Sequence, residues 1–387
     1  MGQSMLRGAG RFDRMRDMKN RSPALLFPTL AVCAVLSVSC GDRSDETASG
    51  ADASAPSASA AQEPAISAAD LAMLEAERAE QAAREATNEG RAPVSEDRVV
   101  AFGRAGQAGK TVARNPYRGA IAVDSGTGRV LFQDNADELA IPASMVKMMD
   151  LLILQEMIEA GELRTNDVVA VSRRAYDTGG SQVYLDPRES FPVEDLLYAL
   201  MIQSANDAAV ALAEHATGSC EAMVERMNRR ARELGMTATR FRTVHGLTDK
   251  SDPYYDVSSP RDMAILSREL CRHPDIFKYT GTAFRVFRDQ TSPNHIDMRT
   301  HNPVLQTGTR IAGADGLKTG YTKYAGYSLS ASVERNGRRV IVVVMGVGVT
   351  DAKGEVIPKD SKRVRDRTIA TLVERAFAEP ASAPAGD

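Results

Sequence analysis

Two hydrophobic rhythms alternate along the middle and end of the chain. "GAIAVDSGTGRVLFQ", from Gly119, sets apolar runs on either side of a Ser-Gly-Thr-Gly turn and predicts a β-hairpin. Segments 144–160, 193–203, 206–216, 219–234 and 260–272 carry apolar residues at helical spacing instead, with Gly or Pro between several of them. Strand patterning returns in "ADGLKTGYT" (314–322), "GYSLSASVE" and "RVIVVVMGV". The last two flank Asn336-Gly337, the signature of a type I′ turn. A final helix is expected over roughly 362–378. Strands at both ends with helices between them predict an α+β fold: one antiparallel sheet from both chain ends, carrying an inserted α-helical lobe. A site on such a fold falls in the cleft between lobe and sheet.

Before residue 96 the pattern changes. Arg7, Arg11, Arg14, Arg16, Lys19 and Arg21 precede "ALLFPTLAVCAVLSV", an apolar run too short for a comfortable membrane span, and small residues follow up to Cys40. This order predicts a secretory signal over 1–39, for which Met18 is a more usual start than Met1. Cys40 resembles the lipidated cysteine of a bacterial lipobox, although Ser37 stands where leucine is usual. Plain cleavage after Ser39 is the alternative, and it leaves a soluble protein. Residues 40–95 read as a disordered tether rich in Ala, Ser and acid. Between Gly41 and Arg91, 11 acidic residues face 4 arginines, and such a composition cannot bury a core. Within it, 68–86 favours helix by propensity but sustains no heptad, so a short frayed helix is expected. Residues 379–387 read as a disordered tail, which leaves 96–378 as the folded domain.

Composition narrows the function classes. Over 387 residues the formal net charge is -3, which gives no electrostatic case for nucleic-acid binding. Tryptophan is absent, so indole stacking on sugars is excluded. Cys33 lies in the signal; after export, Cys220 and Cys271 either pair or stay as buried free thiols.

The candidate chemistry begins at "PASMVKMM" (142–149), which puts Lys147 three residues after Ser144 at the start of an apolar helix. That spacing stacks the two side chains on one face. It is either ordinary capping or a serine nucleophile beside its base. "MIQSANDAA" presents Ser204 and Asn206 from a corner between helices, where capping is again the plain alternative. "ADGLKTGYT" sets Lys318-Thr319-Gly320 on a strand, where a glycine permits close backbone approach. Ser-x-x-Lys, Ser-x-Asn and Lys-Thr-Gly thus occur in one order, on a helix start, a helix corner and a strand. A closely similar trio marks class A β-lactamases and penicillin-binding proteins.

The resemblance extends well beyond the trio. "YRGAIAVDSGTGRVLFQDNADELAIPASMVKMM", "TGGSQVYL", "EDLLYALMIQSANDAAVALAEHATGS", "MNRRARELGMTATRF", "HGL", "SSPRDMAIL" and "DGLKTGYTKYAGYSLSASV" are similar to the D-alanyl-D-alanine carboxypeptidases, the low-molecular-mass penicillin-binding proteins of serine peptidase type. It covers about 115–378 and implies a β-lactamase/transpeptidase-like fold. The class A β-lactamase reading fails because no Glu-x-x-x-Asn lies between 206 and 318.

The resemblance implies a hydrolase without cofactor or metal. Its substrates are peptidoglycan stem peptides, and β-lactam antibiotics are its covalent inhibitors. Ser144 attacks the penultimate D-Ala carbonyl, and Lys147 is the base in the absence of a familiar histidine relay. An exposed lysine, with a pKa of about 10.4, is protonated and useless for that task, so burial and the nearby Lys318 are expected to depress it. Ser204 relays a proton to the leaving amine, and Asn206 holds the substrate backbone or the lysines. The oxyanion hole uses the amides of Ser144 and of Tyr321 or Thr322. Thr319 and an arginine, Arg365 with Arg363 as the alternative, bind the terminal carboxylate. The family's C-terminal anchor is not found, so attachment to the envelope is expected through Cys40. Residues 279–303 are unusual and reshape the cleft toward cross-linked substrates if the enzyme is a DD-endopeptidase. A non-catalytic cell-wall-binding lipoprotein is the alternative from another class.

Overall fold

The computed structural model describes residues 68–89, 91, 94–105, 111–248 and 254–380. The expected signal, Cys40, the tether before residue 68 and the tail beyond residue 380 lie outside the described residues. In chain order, helices α1 (Ala68–Asn88) and α2 (Glu96–Ala105) precede the hairpin β1 (Gly119–Asp124) and β2 (Val130–Asp134). A 3-10 turn, Ala143–Val146, then runs into α3 (Lys147–Glu159). Strand β3 (Val168–Ala170) pairs with β4 (Ser190–Pro192) around the short helix α4 (Arg173–Asp177). Helix α5 (Val193–Tyr198) continues as a π-helical turn to Gln203, and α6 (Asn206–Thr217), α7 (Cys220–Glu233) and α8 (Pro260–Leu270) follow. After α9 (Phe277–Thr280) and the hairpin β5 (Phe284–Phe287) and β6 (Ile296–Arg299) come β7 (Ala314–Thr322), β8 (Gly326–Arg335), β9 (Arg338–Val347) and α10 (Pro358–Ala378).

Five of these strands form the central sheet in the order β2-β1-β9-β8-β7, so both ends of the folded unit contribute to it, as expected. Both faces are covered, which explains why β9 reads as a continuous apolar run rather than an alternation. Val340, Val342 and Val344 pack with Ile369, Leu372 and Val373 of α10. Ile341, Val343 and Met345 face the helical lobe and share a core with α3, α6 and α8. Asn336 and Gly337 both take positive φ, 52° and 76°, as a type I′ turn requires. Lys318 and Gly320 therefore ride on β7, an edge strand, alongside the lobe.

Helix α1 departs from the frayed tether helix expected there. It runs 21 residues, and its C-terminal half is docked, with Ala83 and Thr87 buried. Arg261 donates to the Thr87 carbonyl (2.7 Å) and Arg268 to that of Ala83 (3.2 Å), while Arg91 pairs with the buried Asp262. The Arg261 bond satisfies a helix-end carbonyl left without a partner within the helix, whereas the Ala83 carbonyl also accepts from the Thr87 hydroxyl (2.9 Å). Arg261 and Arg268 come from α8, roughly 180 residues away, so local composition could not announce them. Cys220 and Cys271 are free thiols, and burial pushes both up to about 12.

Candidate active site

Ser144 sits on the 3-10 turn ahead of α3 and is half-buried. Ala143 before it has φ 49°, a conformation that side chains with a Cβ rarely adopt and that persists only where neighbours enforce it. Two glycines leave the room it needs. A Cβ on Gly246 (φ 82°) would meet the Ala143 carbonyl oxygen at 2.0 Å, and one on Gly320 would meet that of Pro142 at 2.3 Å. Any side chain at either position would push the serine turn out of place.

Lys147, the first residue of α3, is fully buried. Its Nζ donates to Asn206 Oδ1 (2.7 Å) and to the His245 carbonyl (3.0 Å), and lies 3.4 Å from Ser144 Oγ. Burial pulls this amine down to about 7, against the opposing pull of Asp150, Asp207 and Asp256. A substantial neutral fraction is therefore present near neutral pH. The expected depression of Lys147 by Lys318 is not what moves it. The like-charge effect falls on Lys318, which burial first and Lys147 second hold well below the lysine range. Lys318 Nζ donates to the Thr319 carbonyl (3.2 Å).

Ser204 ends the π-helical turn in a left-handed conformation (φ 59°). Its hydroxyl is buried without a hydrogen-bond partner among the described residues, an unusual state for such a group. Asn206 Nδ2 donates to the Gly179 carbonyl (2.8 Å), which leaves its Oδ1 facing Lys147. Arg365 on α10 is buried, and Asp366 accepts from its Nε at 2.8 Å. Arg363 points elsewhere: its side chain is 66% exposed and paired with Asp360.

Ser144, Ser204, Thr319, Gly320 and Arg365 line one cleft of about 460 Å³, with Ser181 on its rim. Lys147 and Asn206 are hydrogen-bonded to each other within reach of Ser144. The sequence reading missed the backbone carbonyls of Gly179 and His245, which leave no trace in residue type. It also missed three buried acids around the lysine. Asp150 inside an apolar helix and Asp207 directly after Asn206 were the available signals. The His245 ring accepts from the Leu247 amide (3.1 Å), and burial with the Lys147 charge holds it down to about 3, so it stays neutral.

A serine on a strained turn, a buried lysine beside it and a Lys-Thr-Gly edge strand across the cleft define the class of penicillin-binding serine enzymes with the β-lactamase-like fold. The family model for D-alanyl-D-alanine carboxypeptidase, peptidase S11, matches residues 110–348, and the chain belongs to that family. It is 37% identical over 242 residues to the D-alanyl-D-alanine carboxypeptidase DacF of Bacillus subtilis, covering 62% of this chain and 60% of that one. To DacC of Escherichia coli it is 36% identical, covering 58% and 55%. The chain thus spans between half and two thirds of the length of these curated relatives. Among solved structures, penicillin-binding protein 5 of Haemophilus influenzae superimposes with a TM-score of 0.59 at 30% identity, covering 70% of this chain and 72% of that one. The ampicillin-bound penicillin-binding protein D2 of Listeria monocytogenes gives 0.56 at 28%, covering 67% and 96%.

Proposed function

We propose that the protein is a serine-type D-Ala-D-Ala carboxypeptidase that removes the terminal D-Ala from peptidoglycan stem peptides. The observation that carries this is the Lys147 amine: buried, held near neutrality by burial, and hydrogen-bonded within reach of Ser144. Lys147 accepts the Ser144 proton as Oγ attacks the penultimate carbonyl. Ser204, whose hydroxyl has no hydrogen-bond partner among the described residues, relays the proton that Lys147 took to the departing D-Ala amine, which returns Lys147 to its neutral form. Water then hydrolyses the ester and frees Ser144. The glycine at 320 lets β7 approach closely enough for a following amide to join that of Ser144 in the oxyanion hole. Purified mature protein should release D-Ala from pentapeptide monomers and take up one fluorescent penicillin per chain. Cleavage of cross-linked dimers alone would make it an endopeptidase, and failure to label would favour the non-catalytic binding protein.

Arg365, with Thr319, is proposed to hold the terminal carboxylate, and Arg365→Ala tests this by selectivity. Charge-assisted hydrogen bonds contribute about 1.5–3 kcal/mol, so acylation by carboxylate-bearing substrates should slow roughly 10- to 150-fold. A substrate with its terminus amidated should be nearly unaffected, and Arg363→Ala nearly silent. Damage from Arg363→Ala with a silent Arg365→Ala would reverse the assignment.

Export and an envelope location are proposed from the N-terminal sequence, with Cys40 as the lipid attachment point. No described helix is long and apolar enough to cross a membrane. Cys40→Ser should move the protein from the membrane fraction to the soluble periplasmic fraction. Wild-type protein found wholly in the soluble fraction would favour plain cleavage after Ser39.

A further inference from the structure

A cavity of about 980 Å³, larger than the catalytic cleft, opens on the far side of the loop that carries Ser181. Ser181 faces the cleft and the next residue, Gln182, faces this second cavity, so one loop forms a wall of each. Tyr176 and Tyr184 line it and are 43% and 71% exposed. Exposed tyrosines at a cavity offer flat apolar faces with polar tips, the usual composition of ligand-binding surfaces.

Tyr184 is held out by construction. Its φ of 52° is costly for a bulky residue, and so is the φ of 68° at Arg288 opposite. The Arg288 side chain, only 7% exposed, joins the two segments. Nη2 donates to the Tyr184 carbonyl (2.8 Å), Nη1 to that of Val183 (2.9 Å), and Glu189 accepts from Nε (2.9 Å) and Nη2 (2.8 Å). Arg288 follows directly on β5, in the 279–303 stretch that stood out in the sequence. Beneath the loop, Asp207 accepts from the amides of Val183 and Leu185, so the same segment is pinned beside Asn206. The fold thus spends strain on presenting a tyrosine to solvent next to the catalytic cleft.

The charges at the cavity select the class of ligand. Arg188 pairs with Asp186 (2.7 Å), Arg288 with Glu189 (2.8 Å) and Arg173 with Asp177 (2.8 Å). Each charged side chain of the lining is paired, Asp177 through Arg173 just outside it, so none is left as an unpaired anchor for an ionic ligand. What the cavity presents is the exposed Tyr184 ring, with Tyr176 carrying Arg173 over one face, beside Gln182, Asn294 and His295, groups that exchange hydrogen bonds with hydroxyls and amides. That combination fits an uncharged, polyhydroxylated ring system. We infer that this cavity is a saccharide subsite that receives the glycan strand of peptidoglycan while the attached stem peptide enters the catalytic cleft. The inference rests on the proposed substrate class, but its binding step can be measured without catalysis.

The test is calorimetric titration of the purified mature chain with a tetrasaccharide of N-acetylglucosamine, an uncharged probe that stands in for the glycan strand. Wild-type protein should bind it, and Tyr184→Ala should weaken binding at least about tenfold. Tyr184→Phe, which keeps the ring, should retain most of the affinity. Penicillin labelling of Ser144 should proceed equally in all three proteins, which also shows that the variants are folded. No binding by wild-type protein, or equal binding by Tyr184→Ala, overturns the subsite whatever the labelling shows. Absent labelling with intact tetrasaccharide binding would instead overturn the catalytic reading and leave the subsite standing.

Discussion

Lys147→Met is expected to lower the rate of penicillin acylation by about 10²- to 10⁴-fold, the range that a positioned general base supplies. Methionine fills the buried volume but cannot accept a proton. In the wild-type enzyme the acylation rate should rise with pH through about 7, because only the unprotonated amine can take the serine proton and burial brings its pKa to that value. Below that pH the amine is charged and inactive as a base; above it the rate should level off. The variant should lose this step entirely. It also leaves Asn206 Oδ1 and the His245 carbonyl without their lysine partner, at about 1–3 kcal/mol for each buried acceptor. Removing a buried amine offsets part of that cost. The melting temperature should therefore fall by several degrees while the circular dichroism spectrum stays native. Acylation within threefold of wild type would mean that Lys147 only organises the site and the base lies elsewhere.

Much of this site was legible before the fold was. Ser144, Lys147, Ser204, Asn206, Lys318 and Gly320 are side chains or absences of side chains, and each motif lies on the element its flanking pattern predicted. The helix expected from residue 144 was right in extent but not in kind. Its first turn is 3-10, entered through a left-handed Ala143, and nothing in "PASM" signals that strain. The room for that turn comes from Gly246 and Gly320, each far away in sequence, so the fit exists only once the chain is folded. Helix α1 misled for the same reason: the Thr87 and Ala83 carbonyls near its end accept from Arg261 and Arg268 of a distant helix. Arg365 and Arg363 stood as alternatives in the sequence, and they differ in burial: Arg365 is buried and Arg363 exposed. The π-helical turn before Ser204 and the left-handed Tyr184 were likewise invisible, because backbone conformations imposed by packing have no residue signature.

The proposed mechanism makes Ser144 the acylated nucleophile. Ser144→Ala removes a single oxygen whose nearest partner, Lys147 Nζ, lies at 3.4 Å, so the change should alter stability by no more than about 0.5 kcal/mol. A loss of reactivity would then report chemistry rather than unfolding. Ser204 is another hydroxyl of the cleft that could be mistaken for the nucleophile, but among the described residues Lys147 makes no hydrogen bond to it. Peptide mass spectrometry after incubation with ampicillin tests the claim most directly. The account predicts one drug adduct per wild-type chain, on the peptide that carries Ser144, and no adduct on Ser144→Ala. An adduct that persists on Ser144→Ala, or that maps to Ser204, would contradict it.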